Sequence, residues 1–238
     1  TIASTVRANP SAGFSIASYT GAQGSIVAHG LNKAPEFIIT KSRTATAGQP
    51  WAVYHKNLGK DVALILNTNA GVQSSYPNYW GTSEPNSLTF GTMSNYSGWS
   101  NNDGDVIAYC FTGVEGYSKF SSFQNPSGDG GFVFCGFKPK LIIAKCVRNI
   151  SSSSGSGDWM IYDTSRLPFN NNADNNHLVA NVASPEDGYY SSGQGAIDIL
   201  SNGFKIRHQG SSPLGDPGRL YIFAAWAEVP FASQARAR

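Results

Sequence analysis

The side chains that could perform acid–base or metal chemistry in this chain are its four histidines and its few acidic residues. His177 and His208 stand without a Cys, Asp or Glu at the spacing that metal ligands need. A glycoside hydrolase requires two carboxylates across a cleft, and Glu84 and Glu186 are the glutamates that occupy long loops. We therefore expect no metal site, no cofactor and no enzymatic activity. A glycan-degrading enzyme that uses Glu84 or Glu186 is the alternative.

Motifs for covalent catalysis and phosphate binding are also missing. The segments Gly13–Ala17 and Gly116–Phe120 begin like a nucleophile elbow but lack its second glycine. Gly59-Lys60 continues into Asp61 rather than into the Ser or Thr of a phosphate-binding loop. Asp103-Gly104-Asp105 and Asp129-Gly130-Gly131 have the composition of calcium loops but not their ordered acidic positions, so we interpret both as turns.

Composition narrows the class of protein further. Charged residues are 13% of the chain and the formal net charge is +2, which is too little for an electrostatic footprint on nucleic acid. No apolar run approaches the roughly 18 residues of a membrane-spanning helix, and residues 1–7 do not form a signal peptide. Cys110, Cys135 and Cys146 each lie in an apolar run, where we expect small buried side chains rather than a disulfide or a zinc site.

The sequence predicts that the strands of this chain belong to one unit that is repeated twice in tandem. Matching segments follow one another in the same order in both halves, and the second half has gained residues in its loops. His29 falls where the second copy has Cys135, and this exchange favours a packing role for His29. The matched pairs are Gly13-Phe14-Ser15 with Gly116-Tyr117-Ser118, Phe37–Lys41 with Leu141–Lys145, Trp51–Tyr54 with Trp159–Tyr162, Leu64–Asn67 with Leu178–Asn181, and Val106–Phe111 with Tyr221–Trp226.

Each matched segment is short, rich in β-branched and aromatic residues, and bounded by Gly, Pro, Asn, Asp or Ser, which is typical of strands. The runs at 37–39, 141–143 and 221–226 are nearly all apolar and predict strands covered on both faces. The sequence therefore predicts an all-β protein of two tandem β-sandwich or jelly-roll units related by internal duplication. We expect residues 1–11 to be a linker, 12–115 the first unit and 116–238 the second. A single larger sandwich is the alternative.

Aromatic residues in long polar loops are the strongest candidates for a binding surface. Aromatic side chains bring a large contact area at a low entropic cost, so they could stack on sugar rings or form a subunit contact. The alternative is that they fold back as caps on the edge of a sandwich. The candidates are Tyr76, Tyr79, Trp80, Tyr96 and Trp99 in the first unit, and Tyr189 and Tyr190 in the corresponding region of the second.

Several motifs together resemble a family of tailed-bacteriophage virion proteins, over about residues 12 to 232. The second copy departs from the pattern at Phe123-Gln124-Asn125 and at Cys135. The motifs are Gly13-Phe14-Ser15-Ile16 with Tyr19-Thr20-Gly21, His29-Gly30-Leu31, Pro35–Lys41, Val114–Phe120 and Ala227–Phe231.

The resemblance implies a location at the surface of a phage particle and sandwiches similar to concanavalin-like lectin folds. It implies a tail-fibre or receptor-binding component, homotrimeric as fibres usually are, that contacts other virion proteins and a host surface glycan or protein. A capsid decoration or other structural virion protein is the alternative. Because the chain does not begin with Met, we also expect it to be a processed or excised piece of a longer protein.

Overall fold

The chain folds as an all-β protein whose strands divide between two units. The computed structural model describes residues 1–44, 49–125, 130–147, 157–166, 170, 177–186, 197–207 and 214–227. Unit 1 comprises Thr1–Asn67 and Val72–Val114, and unit 2 comprises Thr68–Gly71 and Glu115–Arg238. Each unit has its own hydrophobic core, as the expected pair of sandwiches requires.

Unit 1 contains two antiparallel sheets. The larger has the strand order β1-β2-β8-β4-β5-β6, and the smaller pairs β3 with β7. Val27 and Phe90 of the small sheet and Ala17, Ile38 and Cys110 of the large one belong to one buried cluster, so the core lies between the sheets. The strands are β1 (Ser4–Asn9), β2 (Phe14–Thr20), β3 (Ile26–Ala28), β4 (Phe37–Ser42), β5 (Ala52–His55), β6 (Leu64–Ile65), β7 (Thr89–Gly91) and β8 (Asp105–Phe111).

Residues 1–11 are part of unit 1 rather than a linker. Strand β1 pairs with β2 along its whole length, and the 3-10 turn Pro10–Ala12 joins the two strands. The sequence did not indicate this strand because β1 covers the edge of the sheet and is mostly exposed. It therefore needs little of the apolar alternation by which buried strands are recognised.

Unit 2 repeats this arrangement. Its larger sheet has the order β13-β12-β11-β16-β9, and its smaller sheet has the order β10-β15-β14. Val133, Ile199 and Phe204 of the small sheet share a buried cluster with Ile142 and Phe223 of the large one. The strands are β9 (Ser118–Gln124), β10 (Phe132–Phe134), β11 (Pro139–Cys146), β12 (Trp159–Asp163), β13 (Leu178–Val179), β14 (Ile197–Leu200), β15 (Gly203–Ile206) and β16 (Leu220–Ala227).

The two large sheets have the same strand order, β2-β8-β4-β5-β6 in unit 1 and β9-β16-β11-β12-β13 in unit 2. The matched segments of the sequence fall on equivalent strands of this order. That the two units descend from one duplicated sequence remains a prediction. The shared strand order supports it.

The structure corrects the first matched pair by one residue. Ser15 pairs with Cys110 on β8, and Lys119 pairs with Ala225 on β16. Because Cys110 and Ala225 are equivalent in the closing strands, Ser15 corresponds to Lys119 and not to Ser118. A shift of one residue exchanges the faces of a strand, so a buried serine in unit 1 is replaced by a lysine in unit 2.

The apolar runs are covered to different extents. Strand β16 buries both faces from Tyr221 to Ala225, as predicted for that run. In β4, Phe37 and Ile38 are buried and Ile39 is half-buried; in β11, Ile142 is buried whereas its neighbours Leu141 and Ile143 are half-buried. The prediction of full coverage is therefore wrong for the second face of β11.

A lysine and a tryptophan from adjacent strands form the same polar contact in each unit. In unit 1, the Lys41 ammonium donates to the Gln49 carbonyl and lies 6.0 Å from the centroid of the Trp51 ring. The Trp51 amide donates to Asn67 Oδ1 at 3.0 Å. This arrangement ties the ends of β4, β5 and β6 together with polar groups that the strand ladders leave unused.

In unit 2 the equivalent lysine is fully buried. Lys145 Nζ donates to the carbonyl of Gly157 and, at 3.2 Å, to that of Asn69, and it lies 5.9 Å from the centroid of the Trp159 ring. The Trp159 amide donates to Asn181 Oδ1 at 2.8 Å. A buried ammonium is costly to desolvate, so these acceptors are what allow Lys145 to occupy the interior.

Burial lowers the pKa of Lys145 from about 10.5 to about 8. Between these pH values the unfolded chain holds more protons than the folded chain, so this group makes the free energy of unfolding rise with pH. We expect the free energy of unfolding of wild type, relative to that of Lys145→Met, to rise by up to about 3 kcal/mol between pH 8 and pH 10.5. Urea unfolding at a series of pH values measures this difference.

The buried cysteines and tyrosines titrate alike in wild type and in Lys145→Met. Their contribution therefore cancels when the free energies of unfolding of the two proteins are subtracted. Lys41→Met, which removes the half-buried lysine of unit 1, controls for the loss of a positive charge. A wild-type minus Lys145→Met difference that stays constant over the pH range would contradict the desolvation of Lys145.

Candidate functional site

Two exposed tyrosines from separate loops of unit 1 stack on one another. Tyr76 lies between β6 and β7 and is 42% exposed, and Tyr96 lies between β7 and β8 and is 45% exposed. Their ring centroids are 5.2 Å apart and the ring planes differ by 20°. Because aromatic residues are usually at least partly withdrawn from water, this stacked pair is a candidate contact surface.

The buried side chain of Asn102 holds the loop that carries Tyr96. Its amide Nδ2 donates to the carbonyls of Met93 at 3.0 Å and of Tyr96 at 2.6 Å, and its Oδ1 accepts from the Trp99 amide at 2.8 Å. A buried polar side chain whose bonds are all made rigidifies the surrounding backbone. The position of Tyr96 is therefore set by the interior of unit 1.

A second buried amide, Asn101, joins the two loops. Its Nδ2 donates to the Tyr79 carbonyl at 2.8 Å, and its Oδ1 accepts from the Met93 amide at 3.1 Å. Its own carbonyl accepts from the Tyr19 hydroxyl at 3.0 Å. Asn101 thus connects the Tyr76 loop, the Tyr96 loop and strand β2.

Polar residues beside the tyrosine pair form a rim. Asn95 Nδ2 donates to the Pro77 carbonyl at 3.2 Å and joins the two loops next to the stacked rings. Asn78 adopts a left-handed backbone with φ 61°, which asparagine tolerates better than most residues. Its amide donates to Asp61 Oδ1 at 2.9 Å, and its side-chain oxygen accepts from Lys60 Nζ at 2.9 Å. The rim is therefore ordered and mixed in charge.

The other predicted aromatic contacts do not lie on this surface. Trp80 is fully buried and Tyr79 is 2% exposed, both in the core of unit 1, and Trp99 is half-buried against that core. Trp80 Nε1 donates to the Val62 carbonyl at 3.0 Å. The prediction that Tyr79 and Trp80 are surface contacts is wrong, because burying these large rings stabilises unit 1 more than exposing them would. Tyr189 and Tyr190 lie outside the described residues.

His29 is a packing residue of unit 1. His29 is fully buried; its Nε2 lies 3.0 Å from the Asn86 carbonyl, and its Nδ1 accepts from the Leu31 amide at 3.2 Å. Burial lowers the pKa of His29 below its usual value, so the ring is neutral at neutral pH. These contacts agree with the packing role expected for His29.

The two candidate carboxylates have partners within their own units. Glu84 accepts hydrogen bonds from the Tyr54 hydroxyl at 3.1 Å and from the Lys60 amide at 3.0 Å. Burial of the Tyr54 hydroxyl and the negative charge of Glu84 both raise the pKa of Tyr54. Glu186 lies 3.5 Å from Arg166, which also pairs with Asp163. Glu84 therefore has hydrogen-bond partners within unit 1, and Glu186 has an ion-pair partner within unit 2.

The cysteines are free and buried, as expected. Burial raises the pKa of Cys110 and of Cys135 to about 12, so neither is a thiolate at neutral pH. Across the residues that the structure describes, no three His, Cys, Asp or Glu side chains are grouped closely enough to hold a metal ion. The same residues contain no helix of the length and apolarity needed to cross a membrane.

Fold and site together define an all-β protein that presents an aromatic pair on loops held by buried amides. Residues 1–230 match the family model described as Domain of unknown function (DUF7483), and the chain belongs to that family. Neither a curated protein nor a solved structure matches the chain.

The two classes of loop aromatic should differ sharply in their effect on stability. We expect Trp80→Ala to lower the free energy of unfolding of unit 1 by about 3–5 kcal/mol, because it removes a fully buried indole. Tyr76→Ala should change it by less than about 1 kcal/mol, because the ring is exposed. Urea unfolding followed by circular dichroism measures both values, and equal losses in the two variants would contradict the assignment of core and surface.

Proposed function

We propose that this chain is a structural component of a tailed-bacteriophage particle, a tail-fibre or receptor-binding protein that contacts the host surface. The observation that carries the proposal is the exposed Tyr76–Tyr96 stack on an ordered frame. The virion location rests on the motif resemblance. Other virion proteins and a host surface glycan or protein are the proposed partners, and homotrimeric assembly belongs to the same proposal.

The stacked rings suit a sugar or another flat, weakly polar ligand. Each tyrosine uses one ring face for its partner, which leaves the opposite faces for a ligand, and the hydroxyl groups offer hydrogen bonds at the edge. Because Asn101 and Asn102 hold the loops before binding, little conformational entropy is lost on contact. The Asn78, Asn95 and Lys60–Asp61 rim adds donors and acceptors of both charges.

A capsid decoration protein is the second candidate. A surface that is polar but carries few charges suits assembly as well as recognition, and charged residues are 13% of this chain. Locating the chain in a reconstruction of the native particle separates a tail position from a capsid position.

Binding to the host surface is tested with purified protein in glycan-array and host-cell adsorption assays. We expect Tyr76→Ala and Tyr96→Ala each to weaken binding at least about tenfold, because truncating an aromatic residue at the centre of a contact removes much of its energy. Leu88→Ala is the matched control, since Leu88 is a 66% exposed hydrophobic residue of unit 1 that takes no part in the stack.

Folding of each variant is verified by circular dichroism before binding is compared. Wild-type protein that is folded and binds neither cells nor glycans would overturn the receptor-binding role. Binding that all three variants retain equally would overturn the assignment of the contact to the tyrosine pair.

A further inference from the structure

Strand β10 of unit 2 is an edge strand with two exposed aromatic side chains. It pairs with β15 on one side only, through Phe132 with Lys205, Val133 with Phe204 and Phe134 with Gly203. Phe132 is 47% exposed and Phe134 is 56% exposed, while Val133 between them is buried. Both phenyl rings therefore stand on the outer face of the small sheet.

The main-chain groups of the two phenylalanines point away from β15. The Gly131 carbonyl accepts from Ile206 N, and the Cys135 amide donates to Asn202 O. Because main-chain groups alternate in direction along a strand, those of Phe132 and Phe134 face the open edge. Phe134 O accepts from Lys119 Nζ at 2.9 Å. Within the described chain, neither amide of the two residues donates a hydrogen bond and Phe132 O accepts none.

The equivalent edge of unit 1 has a cover. There, the carbonyl of Ile26 on β3 accepts from the amide of Ile2 at 2.9 Å, just before the chain enters β1. The counterparts of Phe132 and Phe134 in β3 are Ile26 and Ala28, so unit 2 is the more apolar at the edge that lacks such a cover among the described residues.

Exposed strand edges are usually protected by charges, prolines, bulges or a covering segment. Strand β10 has no charged residue and no proline, and it pairs with β15 without a bulge. Lys119 reaches this edge, but its ammonium lies 4.9 Å from the centroid of the Phe134 ring and binds the Phe134 carbonyl. Three of the four main-chain groups that Phe132 and Phe134 direct to this edge are therefore without a partner among the described residues.

We propose that β10 pairs with β10 of a second copy of this chain, antiparallel and about a two-fold axis. With Val133 at the centre, Phe132 of one copy stands opposite Phe134 of the other. Both residues direct their main-chain groups to the open edge, so each such pair is a hydrogen-bonded pair of the ladder. The small sheets of the two copies then form one continuous sheet.

A second copy suits this edge better than an unrelated strand because the edge is complementary to itself. The two-fold arrangement pairs the Phe132 amide and carbonyl and the Phe134 amide of both copies, and Phe134 O accepts a second hydrogen bond beside the one from Lys119 Nζ. It also brings two Phe132–Phe134 pairs into cross-strand contact. Such an isologous contact closes after two copies and does not extend into a filament. It does not rest on the proposed host-binding role, and it predicts a dimer of the purified chain in place of the homotrimer that belongs to that proposal.

Analytical ultracentrifugation of the purified chain over a range of concentrations tests the pairing. We expect a concentration-dependent dimer for wild type and a monomer for Phe132→Lys/Phe134→Lys, which places four like charges across the contact. Ile26→Lys is the matched control: it changes an exposed residue at the equivalent edge position of unit 1, 46% exposed, and should leave the dimer unchanged.

Phe132→Pro distinguishes main-chain pairing from side-chain contact, and it serves if the double lysine variant does not fold. Proline at 132 removes an amide that faces the open edge and leaves the β10–β15 bonds in place. We expect this variant to be monomeric, and Phe132→Ala to be weakened at least about tenfold but still able to dimerise. A wild type that stays monomeric, or an assembly of any size that the double lysine and Phe132→Pro variants leave intact, would overturn the proposal.

Discussion

Each unit depends on its closing strand, because among the described strands it is the one that pairs with both halves of the large sheet. Strand β8 lies between β2 and β4, and β16 lies between β9 and β11. Without β8 or β16, the neighbours on either side share no ladder, and the buried face of each sheet is divided. The closing strand, β8 or β16, therefore completes the core of its unit, and its pairing with β2 or β9 joins residues that are distant in the sequence.

The candidate contact surface depends on the same closing strand. Asn101 and Asn102 lie in the turn that precedes β8, and their side chains hold the loops that contain Tyr76 and Tyr96. Strand β8 is fixed between two neighbouring strands, and the buried amides beside it form hydrogen bonds to the loop backbone. The loops are therefore a rigid support. The exposed rings can then stay exposed, since the loops that hold them are stabilised by the interior and not by the rings themselves.

Comparison of the two units separates scaffold from candidate function. The lysine–tryptophan–asparagine contacts at the ends of β4, β5 and β6 recur in unit 2, and they satisfy polar groups that any such sandwich must satisfy. The tyrosine stack of unit 1 and the phenylalanine edge of unit 2 have no counterpart in the described part of the other unit. Scaffold contacts are thus shared, and the exposed aromatic surfaces differ.

The sequence by itself determined the all-β class, the matched strands and the boundary near Val114, because strand periodicity and turn residues are local properties that survive without tertiary contacts. It also identified Tyr76 and Tyr96 as candidates, but it did not separate them from Tyr79 and Trp80. All four stand in similar polar loop sequence, and only the packing of the interior decides which rings are withdrawn from water. Likewise β1, the one-residue register at Lys119 and the open edge at Phe132 came only from the tertiary structure, because pairing between distant strands sets which groups are covered.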